Sequence, residues 1–128
     1  MPPPVAPLEV HLPATAGSVT AARHAASRFA AGRVHDDGGL ALAVSEAVAN
    51  AVVHAYPDPA GEVVHLRISL EAAAVVVVVS DDGQGMAAES DGGGMGAGLR
   101  IIARSCSSLR IDGDGEGTTL TMRFIRSG

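Results

Sequence analysis

The sequence contains no lysine and no tryptophan, and only 2% of its residues are aromatic. All nine basic residues are arginine, and they face 14 acidic residues, so the formal net charge is -5. An acidic chain without a basic run or aromatic stacking platforms is a poor candidate for binding nucleic acid directly. Hydrophobic residues nevertheless make up 47% of the chain. The core must therefore be built from Val, Leu, Ile and Ala.

Cysteine and long apolar runs are also scarce. Cys106 is the only cysteine, so no internal disulfide can form, and a single thiol fits a reducing cytoplasm. The longest apolar run, residues 72–79, is far too short to cross a bilayer, and the start of the chain lacks the pattern of a signal peptide. We expect a cytoplasmic protein without membrane contact. Its 128 residues fit one domain over residues 8–128, after a Pro-rich flexible tail at residues 1–7.

The hydrophobic pattern predicts an α+β fold. Val64, Leu66 and Ile68 alternate with polar residues, as in a half-buried strand, and Ser18 is a plausible N-cap for the first helix. The predicted elements are a strand at 8–12, helices at 18–31 and 40–55, strands at 64–70 and 74–79, a helix at 99–107, and strands at 109–111 and 118–125. This order favours a two-layer sandwich, in which a mixed, mostly antiparallel sheet is covered on one face by about three helices. The second helix is apolar nearly all round, which predicts a buried helix.

That second helix carries three polar residues at helical spacing. Glu46, Asn50 and His54 each follow the previous one by four residues, so an α-helix places all three on one face. A buried carboxylate is costly without a partner. The stripe therefore indicates either a ligand site, or a structural polar network, or simply a side that faces water.

Two glycine-rich segments follow. Asp81 leaves the end of an apolar strand and enters a turn with Gly83 and Gly85, where the backbone can approach a ligand closely, although Asp-Gly is also a common turn dipeptide. Residues 92–98 are mostly glycine and run straight into a helix. Such a segment can present N–H groups to an anion, but it lacks the ending of a Walker A loop, and a flexible linker is the plainer interpretation. Gly-Thr-Thr at 117–119 opens the last strand.

The order of these motifs resembles that of the GHKL ATPases. The shared features are Glu-x-x-x-Asn-Ala on a helix, Asp-x-Gly-x-Gly after a strand, Gly-x-Gly-Leu before a helix, and Gly-Thr-Thr before a closing strand. The resemblance covers residues 8–125. Within the superfamily, the short length and the segment Leu-Ala-Val-Ser-Glu-Ala-Val-Ala-Asn-Ala at residues 42–51 are most similar to the bacterial anti-sigma factor serine/threonine kinases.

The resemblance implies roles for individual residues. Asn50 would hold Mg²⁺ through its side-chain oxygen, and Glu46 would orient or deprotonate the attacking hydroxyl. Asp81 would accept a hydrogen bond from the adenine amino group. The remaining implied nucleotide contacts are Gly83 and Gly85 beside the base, Gly96, Gly98 and Leu99 at the phosphates, and Thr118 in the adenine pocket. Residues 86–97 would form a mobile lid.

The implied function is that of an anti-sigma factor. It would bind Mg²⁺ and ATP and phosphorylate an anti-anti-sigma partner of the STAS type, thereby controlling a sigma factor. Relatives commonly form homodimers, and the sequence leaves the oligomeric state open. The predicted lid contains no Lys or Arg, Arg100 is the nearest cation, and His54 is at least as well explained as a structural residue. A catalytically weak module that binds ATP and sequesters its target is the alternative.

Overall fold

The computed structural model describes residues 5–55, 62–83, 95–114 and 117–127. Four strands and two helices lie close to the ranges predicted from the pattern, and the third helix begins earlier. The elements are β1 (Leu8–Pro13), α1 (Ala16–Ala30), α2 (Asp37–Asn50) with a π-helical continuation (Ala51–Ala55), β2 (Val63–Leu70), β3 (Ala74–Asp81), α3 (Met95–Ser105), β4 (Ser108–Asp114) and β5 (Gly117–Ile125).

The five strands form one sheet in the order β1-β2-β3-β5-β4, and all four pairings are antiparallel. Side chains alternate between the two faces, as expected for strands with one covered face. The inward residues of three strands are buried. They are Val64, Leu66 and Ile68 on β2, Val75, Val77 and Val79 on β3, and Leu120, Met122 and Phe124 on β5. The predicted two-layer α+β architecture is confirmed.

The three helices form the second layer, with α2 between α1 and α3. The inner side of α2 is fully buried through Leu40, Val44 and Val48. Its outer side faces solvent at Leu42, which is 47% exposed, and Val53 in the π-helical continuation is 66% exposed. The expectation that the whole helix is buried was therefore wrong for this side, because the middle helix of a two-layer fold has nothing above it.

The beginnings of the helices differ from the sequence prediction. α1 begins at Ala16 after Thr15, and Ser18 lies buried inside the helix, where its hydroxyl donates to the Pro13 carbonyl at 2.5 Å. Ser18 is therefore not the N-cap. At α2 the Asp36 carboxylate takes that role, accepting a hydrogen bond from the Gly39 N–H at 2.8 Å. None of the helices among the described residues has the length and apolar character that a membrane crossing requires.

Candidate functional site

Two helices bring the first part of the site together. Glu46 and Asn50 lie one turn apart on α2, and α3 packs against them at Gly98. A Cβ atom added to Gly98 would stand 3.2 Å from both the Nδ2 and Oδ1 atoms of Asn50 and 3.3 Å from Oε2 of Glu46. Only glycine lets the helices approach this closely without displacing the two polar side chains.

The Asn50 side chain has an unmet hydrogen-bonding capacity. Its Nδ2 atom is buried and has no hydrogen-bond partner within the described part of the chain. Most buried polar groups in folded proteins are paired, so an orphan donor of this kind indicates a ligand that accepts a hydrogen bond, such as a phosphate oxygen. The amide also offers a hard oxygen donor, which is the ligand type that Mg²⁺ prefers. Asn50 therefore fits a site for a magnesium ion and phosphate groups.

The start of α3 adds N–H donors beside these side chains. The helix begins at Met95, so Gly96 and Gly98 fall in its first turn, whose N–H groups have no partner inside the helix. These donors and the helix dipole favour an anion next to Asn50. Leu99, which follows, is half-buried and packs on the core. Phosphate binding by this segment stays a prediction.

Asp81 forms the second part of the site, at the end of β3. It is only 8% exposed, and Oδ1 accepts a hydrogen bond from the Gly83 N–H at 3.0 Å. Burial raises the pKa of this carboxyl above its ordinary value, while the backbone N–H groups of Gly83 and Thr118 partly offset that rise. A buried acceptor at a strand end suits recognition of a single donor on a ligand.

Thr118 lies directly opposite Asp81 in the β3–β5 pairing and is itself buried. The preceding residue, Gly117, has φ +156°, and a Cβ atom there would lie only 2.3 Å from the Asp81 carbonyl oxygen. Gly117 is therefore required for β5 to pair with β3 at this point. It was missing from the predicted site residues, although the Gly-Thr-Thr motif was the signal that could have added it.

A polar cleft of about 500 Å³ opens beside Asp81 at the ends of β3, β4 and β5. Its lining includes the carboxylates of Asp82 and Asp112, neither of which was predicted from the sequence. Three carboxylates would repel phosphate groups. If a nucleotide binds, its base or sugar suits this side and its phosphates suit the α2–α3 side.

The remaining sequence predictions have different outcomes. Gly85 and most of the predicted lid, residues 86–94, lie outside the described residues. The winding changes to π from Ala51 onward, and the side chain of His54 lies outside the described part of the structure. Arg100 is exposed.

A second cavity, of about 280 Å³, lies at the opposite end of the sheet. It is lined mainly by apolar groups, among them Val34, Cys106 and Phe124. Burial raises the pKa of the Cys106 thiol, which donates to the Ile102 carbonyl at 3.1 Å. The thiol is therefore protonated, and its proton is used in the hydrogen bond to Ile102. None of the predicted site residues lines this cavity.

Comparison with known proteins agrees with the fold. The family model of the histidine kinase-like ATPase domain matches residues 12–124. The chain belongs to this family, which is of the GHKL type. No curated protein sequence is significantly similar to it.

Among solved structures, the chain is similar to the crystal structure of the RsbU and RsbW domains of Rv1364c from Mycobacterium tuberculosis. The TM-score is 0.78 and the sequence identity 27%. The match covers 98% of this chain but only 34% of that one. The chain thus spans about a third of the length of that two-domain structure.

Proposed function

We propose that the protein is an anti-sigma factor with serine/threonine kinase activity, which binds Mg²⁺ and ATP and phosphorylates an anti-anti-sigma partner. The observation that carries this proposal is the contact between Glu46, Asn50 and Gly98. It unites a carboxylate, a buried amide nitrogen that has no partner among the described residues, and a helix N-terminus at one point. The similarity to a structure that contains an RsbW domain supports the regulatory role.

Each residue has a defined task in this proposal. The Asn50 amide oxygen would ligate Mg²⁺, and the N–H groups at the start of α3 would hold phosphate oxygens. The Glu46 carboxylate would orient the serine hydroxyl of the partner and accept its proton. When bound, Mg²⁺ and ATP supply the phosphoryl group and the countercharge for its transfer.

Adenine recognition would rest on Asp81. Its carboxylate would accept a hydrogen bond from the exocyclic amino group of adenine, where guanine carries a carbonyl oxygen. Because both groups would then be acceptors, guanine would leave the buried carboxylate unpaired, which is costly. The opposing Thr118 and the close strand pairing at Gly117 would keep Asp81 in place.

One sequence feature favours a second candidate, a module that binds ATP and sequesters a sigma factor without efficient phosphoryl transfer. The segment from residue 86 to residue 97 contains neither Lys nor Arg. A kinase gains from a cation near the transferring phosphate, and this segment supplies none. The placement of Glu46 favours the kinase, since sequestration needs no carboxylate at that point.

The deciding experiment measures transfer of labelled phosphate from ATP to candidate anti-anti-sigma proteins from the same genome, in the presence of Mg²⁺. We expect a labelled partner with the wild-type protein. With Glu46→Gln we expect unchanged ATP affinity and at least a 100-fold slower transfer, because a general base contributes about 10²–10⁴-fold. Glu62→Gln, a change at an exposed carboxylate, is the control. Full transfer by Glu46→Gln would disprove the assigned role of Glu46.

A second experiment tests the partner switch. Phosphorylation adds nearly two negative charges to the partner, and this protein is already acidic. Repulsion should therefore release the phosphorylated partner. A pull-down should retain the unmodified partner and lose the form whose target serine is changed to aspartate. Equal retention of both forms would leave an ATP-binding protein with a different role.

A further inference from the structure

Two histidines face each other on the side of the sheet away from the helices. His11 on β1 and His65 on β2 are directly opposite in the antiparallel pairing. Their Nδ1 atoms are 2.7 Å apart, and their rings are nearly perpendicular, with centroids 4.9 Å apart. His11 is exposed and His65 half-buried, so an ion from solvent can reach the pair.

A carboxylate orients one of the two rings. The Nε2 atom of His65 lies 3.3 Å from Oδ2 of Asp82. An ionised carboxylate only accepts, so the Nε2 atom of His65 carries the proton of this hydrogen bond. In the neutral ring the lone pair then lies on Nδ1, the atom that faces His11. Metal-binding histidines are typically held by a carboxylate on the far nitrogen in this way.

We propose that His11 and His65 form a two-histidine site for a late first-row divalent transition metal ion, with Asp82 orienting His65. Two imidazole nitrogens that occupy adjacent positions on such an ion, at about 2.0–2.1 Å from it, are about 3 Å apart. The observed 2.7 Å is close to this separation, so a small rotation of either ring admits the ion. Neutral His11 donates its Nδ1 proton to His65 in the metal-free pair; when the ion binds, that proton is exchanged through solvent onto Nε2 of His11, so both rings ligate as neutral imidazoles.

The chemistry of the site separates it from the nucleotide site. Imidazole suits Cu²⁺, Ni²⁺ and Zn²⁺, whereas Mg²⁺ prefers oxygen ligands. No group of three or more His, Cys, Asp or Glu residues in the described ranges is arranged to hold a metal ion. The pair therefore supplies two ligands, and water completes the shell. The site should bind Cu²⁺ more tightly than Ni²⁺. Because His11 is on β1 and His65 on β2, bound metal should stabilise the pairing of these two strands.

The test is calorimetric titration of the tag-free, nucleotide-free protein with NiCl₂ and with ZnCl₂. We expect one ion per chain. His11→Gln and His65→Gln should each weaken binding at least tenfold, because one imidazole cannot replace two. Asp82→Asn should weaken it severalfold and leave the stoichiometry unchanged. Ni²⁺ should also raise the Tm of the wild type but not that of either histidine variant.

The controls are His24→Gln and His35→Gln, which remove exposed histidines elsewhere and should change nothing. Circular dichroism without metal checks that the variants fold. If His11→Gln and His65→Gln bind Ni²⁺ as tightly as the wild type, binding is adventitious and the site does not exist. This result would not bear on ATP binding, because no nucleotide enters the experiment.

Discussion

The Asn50 amide lies against the α-carbon of Gly98, so that a single methyl group at Gly98 would come within 3.2 Å of both its polar atoms. The two residues belong to different helices, α2 and α3. Their contact places a potential ion ligand beside the first N–H groups of α3. Substitutions at Gly98 and Asn50 can therefore separate the effect of this contact on ATP binding from its effect on the stability of the fold.

Gly98→Ala is expected to keep the fold and lose nucleotide affinity. Alanine in a helix is favoured over glycine by about 0.5–1 kcal/mol, and the atoms it would crowd are the ends of side chains, which can turn away. Once they turn, the predicted Mg²⁺ and phosphate ligands are misplaced. We expect an unchanged or higher Tm and a loss of ATP affinity of about tenfold or more, equivalent to about 1.4 kcal/mol.

The matched control for that change is Gly17→Ala on α1, where an added Cβ atom would meet nothing within 4 Å. It should stabilise the protein to a similar extent and leave ATP affinity unchanged, as measured by calorimetry. Equal ATP affinity in Gly98→Ala and the wild type would show that the contact with Asn50 is not part of the binding site.

Asn50→Ala should remove the dependence of nucleotide binding on Mg²⁺. In the wild type, ATP affinity should fall when EDTA replaces Mg²⁺, and in the variant the two values should coincide. The apo variant should be at least as stable as the wild type, because the substitution removes a buried donor that has no partner in the described structure. Thermal unfolding measures this, with Ser45→Ala on the same helix as control. A variant that retains the Mg²⁺ effect would contradict the assignment.

Asp81→Asn should stabilise the apo protein at neutral pH. Burial raises the pKa of Asp81, so folding favours the protonated form. The contribution of Asp81 to the free energy of unfolding is therefore fully present below the ordinary pKa of an aspartate and is lost as the pH rises through the raised value. Asparagine does not ionise. The Tm of the variant should exceed that of the wild type at pH 7, and the difference should shrink towards pH 4.

The same variant should bind ATP more weakly, because the charged acceptor for the adenine amino group is gone. Glu62→Gln, a change at an exposed carboxylate that does not line this cleft, should reproduce neither effect. Equal affinity of the wild type for ATP and GTP would contradict the proposed role of Asp81.

Gly117→Ala should damage both the fold and the site. The added Cβ atom would lie 2.3 Å from a backbone oxygen of β3, and backbone cannot turn away as a side chain can. We expect a loss of about 1–3 kcal/mol in the free energy of unfolding, together with weaker ATP binding. Gly32→Ala, at φ +74° in a turn after α1, should destabilise the protein without this specific loss of affinity.

Much of the fold could be predicted because its patterns are local. The alternation of β2 identified its inward residues, and the helical spacing on α2 placed Glu46 and Asn50 together. The prediction of Ser18 as an N-cap was wrong because a serine in the first turn of a helix can also donate its hydroxyl to the segment before the helix, here to the Pro13 carbonyl at the end of β1. Local sequence does not distinguish the two positions.

The parts that could not be predicted depend on contacts between distant segments. Nothing local shows that Gly98 packs on Asn50 or that Gly117 approaches the Asp81 carbonyl. The contact between His11 and His65 depends on the register of β1 against β2, because the two residues are 54 positions apart in the sequence. A shift of one residue would have placed the two side chains on opposite faces.

The sheet order β1-β2-β3-β5-β4 has a consequence for the lifetime of the protein. The proposed site takes residues from α2, β3, α3 and β5, so it is complete only when β5 has joined β3. ATP would therefore bind the finished fold and no partly folded form. At a hundred times the Kd, such a ligand adds about 2.7 kcal/mol to a stability that in domains of this kind is about 5–15 kcal/mol. We expect proteases to remove the protein faster from cells whose ATP is depleted, so that energy status would set its abundance.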